Sequence, residues 1–256
     1  AHYYMKNINS NIKKSKYLLE KNECIGIPTE TVYGLAANAY SNIATSKIFK
    51  LKKRPKKNSL IVHYYDLSNL KKDCLINSDF KKLFNKFCPG PITFILRLRK
   101  VNKISKNVTN NKKTLAVRFP SHYLIRKLLK NLSFPLAAPS ANIYTKISAV
   151  SKKDVEEEFG TKIKYVLDGG RSKLGLESTI IDLSKKPKII RLGAIETEKI
   201  DKILNNKLVN NLNLKESYPG QGKLHYSPGL PIRVNVKRAK PNEAFILINK
   251  RKITKN

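Results

Sequence analysis

The chain has 256 residues, 41% of them hydrophobic, and carries 52 Lys and Arg against 18 Asp and Glu, a formal net charge of +34. That is length for one large domain plus an appendage, with enough apolar material for a core. No apolar run approaches the roughly 20 residues a membrane span needs, and so basic a chain favours polyanions: nucleotides, RNA, DNA or acidic lipid surfaces.

Lysine is abundant throughout, alongside Asn and Ile, so part of the excess reads as compositional drift with no site behind it. The opening Ala1-His2-Tyr3-Tyr4-Met5-Lys6 lacks the charged-then-apolar layout of a signal peptide, and Met5, the only methionine, is a candidate natural start. Cys24, Cys74 and Cys88 are odd in number and far apart, fitting neither a disulfide framework nor a paired zinc spacing. A reduced, cytoplasmic protein is expected.

Ile8, Ile12 and Leu18-Leu19 among lysines predict an opening amphipathic helix. A short buried strand follows at 24–27, closed by Pro28. Residues 43–51 read as a helix ending in the basic run Lys52-Lys-Arg-Pro-Lys-Lys57. A strand is expected at 60–63, then a helix over 79–87 stopped by Cys88-Pro-Gly-Pro91. Strands at 92–98 and 114–119 precede a helix from Ser121 to about Asn131. A short strand at 136–138 leads into the turn Pro139-Ser-Ala-Asn142. Ser151-Lys-Lys-Asp154 is an N-terminal capping pattern with Gly160 as its stop. Strands at 163–167, 178–183 and 187–191 and a helix at 197–204 complete the set. Strands and helices interleave without strict alternation, which predicts an α/β fold with a mixed, twisted sheet flanked by helices. Composition shifts near Asn205 into a polar stretch and then the turn-dense Tyr218-Pro-Gly-Gln-Gly-Lys-Leu-His-Tyr-Ser-Pro-Gly229, and 232–236 and 244–249 read as two strands of something new.

Four segments carry chemistry. In Pro28-Thr-Glu-Thr-Val-Tyr-Gly34, hydroxyls and a carboxylate at an expected strand-to-helix turn can bind a small polar ligand or simply cap the next helix. The run from Lys52 to Asn58, with Arg54 inside it, suits phosphate oxygens, although basic runs usually form solvated faces. Arg118-Phe-Pro120 ends an apolar strand and precedes the Ser140–Asn142 turn, which Asx-type bonds could satisfy internally. Asp168-Gly-Gly170, Glu177-Ser-Thr-Ile180 and Arg191-Leu-Gly193 place polar groups at strand edges. No Walker loop, Gly-x-Gly-x-x-Gly fingerprint or Gly-x-Ser-x-Gly elbow occurs, and the His and Cys residues lack ligand spacing. A site here works by positioning and fixed charge, with no protein-held metal.

Taken together, these segments resemble the YrdC-type threonylcarbamoyl-AMP synthase family. The resemblance is carried, in order, by Pro28-Thr-Glu-Thr-Val-Tyr-Gly-Leu35, Lys52-x-Arg54-Pro55, Val62-His63, Pro89-Gly-Pro91, Val117-Arg118-x-Pro120, Ala138-Pro-Ser-Ala-Asn142, Asp168-Gly-Gly170 and Glu177-Ser-Thr-Ile180. Pro219-Gly-Gln-Gly…His225-Tyr-Ser-Pro228 is similar to a linker of the longer subclass. The resemblance implies a YrdC-like catalytic domain over 8–205. It also implies a linker at 206–230 able to fold over the active site, and the incomplete beginning of a C-terminal domain at 231–256.

The implied reaction converts L-threonine, bicarbonate and ATP to threonylcarbamoyl-AMP and pyrophosphate. A tRNA threonylcarbamoyl transferase complex then uses the product at position 37 of ANN-decoding tRNAs. Carried over by motif, Lys52 and Arg54 are catalytic. Thr31, His63, Arg118, the backbone of Ala138 and Ser178 hold threonine, and Arg54, Asn58, Ser140, Asn142, Ser148, Arg191 and Tyr226 hold ATP. Mg²⁺ arrives with ATP, bridging phosphate oxygens. Lys53, Ser59 and Leu192 replace a usual glycine and two usual prolines, and Gln221 and Ser227 depart from the linker pattern; these bear on loop geometry and on the Tyr226 contact. The alternative is a non-catalytic protein on the same fold that binds tRNA or double-stranded RNA. Carbamoyl-phosphate chemistry of the hydrogenase-maturation kind would bring zinc-finger cysteines, which this chain lacks.

Overall fold

The computed structural model describes residues 2–205, 208, 233, 236, 238–244 and 246, with side chains from residue 7 onward. In chain order the elements are α1 (His2–Glu20), β1 (Ile25–Ile27), β2 (Gly34–Asn38), α2 (Asn42–Lys52), β3 (Ile61–His63), α3 (Leu67–Asp73), α4 (Ser78–Phe87), β4 (Ile92–Arg97), α5 (Lys106–Thr109), β5 (Thr114–Arg118), α6 (Tyr123–Lys130), β6 (Leu136–Ala137), α7 (Lys152–Phe159), β7 (Thr179–Asp182), β8 (Lys188–Arg191) and α8 (Thr197–Leu204). They form an eight-stranded sheet in the order β1-β2-β6-β3-β5-β4-β7-β8. It is mixed, as expected: β3–β5 and β4–β7 are parallel and the other neighbours antiparallel.

Strand register divides the apolar residues between two faces, because side chains alternate along a strand and paired residues share a side. One face carries Leu35, Ala37, Val62, Phe94, Leu96, Leu115, Val117, Ala137, Ile181 and Ile189, all inside the main core. There Phe80 of α4 meets Phe94 edge-on, with ring centroids 4.9 Å apart. The opposite face is split. Over β1, β2 and β6, Ile25, Ile27, Ala36 and Leu136 pack under Ile8, Ile12 and Leu19 of α1 and Ile125, Leu128 and Leu129 of α6. Over β3, β5, β4, β7 and β8 it holds only a small cluster of Ile61, Ile95, Ala116, Ile180 and Ile190. The polar site lies on this second half.

Local signals explain most boundaries. Ser151 and Asp154 form the expected capping box at the start of α7, and Ser41 caps α2 through the Ala44 amide. Two expectations are corrected. The 28–34 segment joins two antiparallel strands, not a strand and a helix. Gly34-Leu-Ala-Ala-Asn has no β-branched residue to announce a strand, yet its small residues suit a strand wedged between β1 and β6. Residues 163–167 form no strand either: they make one parallel bridge, Val166 to Gly26, beside a β1 only three residues long. The short helices α3 and α5, of seven and four residues, carry too little periodicity to be read in sequence. The linker and most of 231–256, including the strands expected at 232–236 and 244–249, lie outside the described residues. Among the described residues no helix is long and apolar enough to cross a membrane.

Candidate active site

Register builds the first part of the site. His63 pairs with Arg118 across β3 and β5, and Arg118 with Thr93 across β5 and β4. Three polar side chains therefore stand in one row on the open face, spaced by the roughly 4.8 Å between strands. All three are buried. Sequence pattern conceals this, because each sits in a separate, mostly apolar strand and the row exists only once those strands pair.

The β1–β2 connection folds onto that row. Thr29 shapes it through a 2.6 Å hydrogen bond to the Val32 carbonyl and a 2.9 Å contact with the Thr31 hydroxyl. Arg118 donates from Nη2 to Glu30 Oε1 at 2.7 Å and from Nη1 to Thr31 Oγ1 at 2.8 Å. The second Glu30 oxygen accepts from the Ser121 amide at 3.0 Å. Burial opposes ionisation of Glu30, yet the Arg118 charge and these hydrogen bonds hold its carboxyl below the usual value. Burial, reinforced by the Arg118 charge, pushes the His63 imidazole well below its usual value, so it is neutral near pH 7.

From Thr93 the contacts run on across β7 and β8. Thr93 Oγ1 lies 2.8 Å from Ser178 Oγ. Arg191 donates to the Ser178 carbonyl at 2.9 and 3.1 Å and to its hydroxyl at 3.1 Å. Its Nη2 is 3.4 Å from Glu177 Oε2, and Glu177 Oε1 accepts from Ser148 Oγ at 2.9 Å. Burial disfavours the Glu177 charge, but Arg191, the Ser148 hydrogen bond and the nearby charges of Arg118 and Lys52 hold its carboxyl below the usual value. Gly193 is required here, since a Cβ would lie 2.4 Å from the backbone of Ser178 and Thr179.

The second group sits beyond the N-terminal end of β3. Lys52 Nζ donates to the carbonyls of Ser140 and Asn142, clamping that turn to the end of α2. Burial and the Arg54 charge depress Lys52 to about 7. Arg54 donates to the carbonyls of Asn58 and Ser59 at 3.2 and 3.0 Å, and its guanidinium lies 5.8 Å from the Tyr144 ring centre. Burial lowers it to about 10. Asn58 Nδ2 donates to the Tyr144 hydroxyl at 3.0 Å. In this basic run Lys53, Lys56 and Lys57 are exposed while Lys52 and Arg54 are buried, which separates cations turned inward from a solvated face.

Thr31, His63, Arg118, Ser178, Arg191 and Ser148 are thus linked by register and contact, and Lys52, Arg54, Asn58, Ser140 and Asn142 gather beside them. Ala138 joins the end of β3 through its amide bond to Ile61 and touches neither group by hydrogen bond. Tyr226 lies outside the described residues. Glu30, Glu177, Thr93 and Tyr144 were not singled out as site residues from sequence. The two glutamates lie inside segments already flagged as polar, whereas Thr93 and Tyr144 give no local signal. Among the described residues, three buried side-chain atoms lack a hydrogen-bond partner: His63 Nδ1, Arg118 Nε and Asn142 Oδ1. All three belong to this site, where an arriving ligand can satisfy them.

Comparison with known proteins follows the same lines. Residues 17–193 match the Sua5/YciO/YrdC family model, described as telomere recombination. A threonylcarbamoyl-AMP synthase of Bacillus subtilis (strain 168) is 36% identical over 230 residues, covering 87% of this chain and 66% of that protein. Another, of Pyrococcus abyssi, is 36% identical over 225 residues, covering 84% of this chain and 65% of its own length. The chain therefore spans slightly less than two thirds of these relatives. A crystal structure of P. abyssi Sua5 complexed with L-threonine matches with a TM-score of 0.80 at 34% identity, over 84% of this chain and 65% of that one. E. coli YciO, at 22% identity and a TM-score of 0.67 over 74% of this chain and 92% of its own, shares the fold.

Proposed function

The chain belongs to the Sua5/YciO/YrdC family, and on that premise we propose that it is an L-threonylcarbamoyladenylate synthase, a nucleotidyltransferase that makes threonylcarbamoyl-AMP and pyrophosphate from L-threonine, bicarbonate and ATP. The observation that carries this reading is the set of unpartnered atoms. Arg118 Nε and His63 Nδ1 stand on neighbouring strands, one a guanidinium donor and the other a nitrogen of a neutral imidazole, donor or acceptor according to its tautomer. Threonine offers what they lack: a carboxylate for the guanidinium, and for the imidazole a hydroxyl that can either donate or accept. Thr31, Ser178 and the Ala138 backbone complete the threonine seat.

The threonine nitrogen forms a C–N bond to the bicarbonate carbon with loss of water. A carbamate oxygen then attacks the α-phosphorus of ATP, and the bond to pyrophosphate breaks. Both partners are anions, so their approach needs fixed positive charge. Lys52, Arg54 and Arg191 supply it, and also stabilise the charge gathering on the leaving pyrophosphate. Asn58, Ser140, Asn142, Ser148 and Tyr226 position the nucleotide, and alignment in one site contributes as effective molarity. Among the described residues no cluster of His, Cys, Asp or Glu could hold a metal; Glu30 and Glu177 are engaged by arginines and hydrogen-bond donors. That donor set fits Mg²⁺ carried in on the triphosphate, neutralising phosphate charge when bound. The product then passes to a tRNA threonylcarbamoyl transferase.

The test is pyrophosphate release from ATP, which must require both threonine and bicarbonate, with threonylcarbamoyl adenylate detected by mass spectrometry. A rate that is unchanged without threonine overturns the assignment.

A further inference from the structure

The two carboxylates of the site, Glu30 buried and Glu177 partly exposed, are held in different ways. Glu30 is fully committed, one oxygen to Arg118 and the other to the Ser121 amide. Glu177 takes one firm hydrogen bond, from Ser148, while Arg191 spends its hydrogen bonds on Ser178 and approaches Glu177 only at 3.4 Å. Its charge is nonetheless felt at Arg191, Arg118, Lys52 and Arg54. Nor can Glu177 back away. Its carbonyl accepts from the Ala194 amide at 3.1 Å, and Gly193 lies directly against the 177–179 backbone. This carboxylate acts by charge more than by bond, at the place where Arg191, Lys52 and Arg54 would otherwise face one another.

We propose that Glu177 is the internal counter-anion of the nucleotide end: it holds the cationic cradle together when empty and competes with arriving phosphates for Arg191. As a positioning residue it lowers the affinity for phosphate chains and so lets pyrophosphate leave. Like charges close together in a poorly solvated site repel, and either an internal or a bound anion relieves that repulsion. The proposal rests on the synthase reading for the identity of the leaving anion.

The test compares Glu177→Gln, which removes the charge at constant shape, with Glu177→Asp, which keeps it. Pyrophosphate binding is measured by calorimetry, and thermal unfolding with and without pyrophosphate. Glu177→Gln should bind pyrophosphate about 3- to 10-fold more tightly than wild type, melt lower when free, and recover with pyrophosphate. Glu177→Asp should stay near wild type in both. In turnover, Glu177→Gln should lower the KM for ATP and also lower kcat, as product release slows. Unchanged or weaker pyrophosphate binding in Glu177→Gln overturns the proposal. So does equal tightening in both variants, or a Glu177→Gln chain that stays unfolded even with pyrophosphate. Pyrophosphate binding needs no turnover, so a wild type that binds it but forms none from ATP sinks the synthase reading alone.

Discussion

Arg118 and Arg54 occupy one site and are about equally buried, at 4% and 7% exposure, yet they are gripped differently. Arg118 is held by a carboxylate and a hydroxyl, so its charge is partly balanced and its orientation fixed, leaving Nε unpartnered. Arg54, like Lys52, is held by carbonyl oxygens, which orient a cation without cancelling its charge. The first arrangement suits recognition of one small carboxylate by geometry. The second suits attraction of a highly charged phosphate chain.

The comparison breaks most visibly at Arg118. Arg118→Ala should cost about 3–5 kcal/mol in urea unfolding, because it leaves Glu30 buried and uncompensated. Adding Glu30→Gln should regain part of that stability while threonine binding, followed by calorimetry, stays weakened roughly 30- to 150-fold. Recovery of threonine binding in the double variant would show that Arg118 serves structure alone. Arg54→Ala strands no carboxylate, so its stability loss should be only about 1–2 kcal/mol while the KM for ATP rises roughly 30-fold. If it unfolds as readily as Arg118→Ala, the distinction between the two grips is wrong.

A pH titration sharpens the nucleotide end. Lys52 sits near 7 in the folded chain against a usual 10.5, so between those values the unfolded chain binds more protons. Its contribution to stability therefore rises with pH across that window. Over the same window its charge and its clamp on the 140–142 turn fade. Affinity for a non-hydrolysable ATP analogue should fall by up to about tenfold per pH unit above about 7, and Lys52→Met should flatten that limb. A slope unaltered in Lys52→Met would assign the titration elsewhere. The smallest effect concerns Lys53, which ends α2 in the left-handed region at φ 50°, ψ 36°. Lys53→Gly should stabilise the protein by about 1 kcal/mol in thermal unfolding and leave the KM for ATP unchanged. Destabilisation there would mean that the exposed lysine makes a useful contact.

Much of this was legible because the information is local. Alternation announced the strand at Ile92–Arg97 and an apolar run the one at Thr114–Arg118, the Ser151–Asp154 box announced α7, and the polar segments after apolar runs marked where chemistry gathers. What failed were segments whose state depends on neighbours. The strand at Gly34–Asn38 is made by β1 and β6 on either side of it, and the stretch at 163–167 lacks a partner long enough to make it one. Glu30, Glu177, Thr93 and Tyr144 went unassigned for the same reason, as each acquires its role only through residues distant in sequence.

By itself the sequence determined the mixed α/β class, every strand of the sheet except β2, the cap of α7, and the ordered motifs that tie the chain to its family, because propensity, periodicity and capping act within a few residues. The tertiary structure alone decided that His63, Arg118 and Thr93 share a row, that Glu30 reaches Arg118 from 88 residues away, and that Lys52 clamps the 140–142 turn. Those pairings follow from strand order and register, which are settled when the whole sheet closes over its core, and no local pattern encodes them.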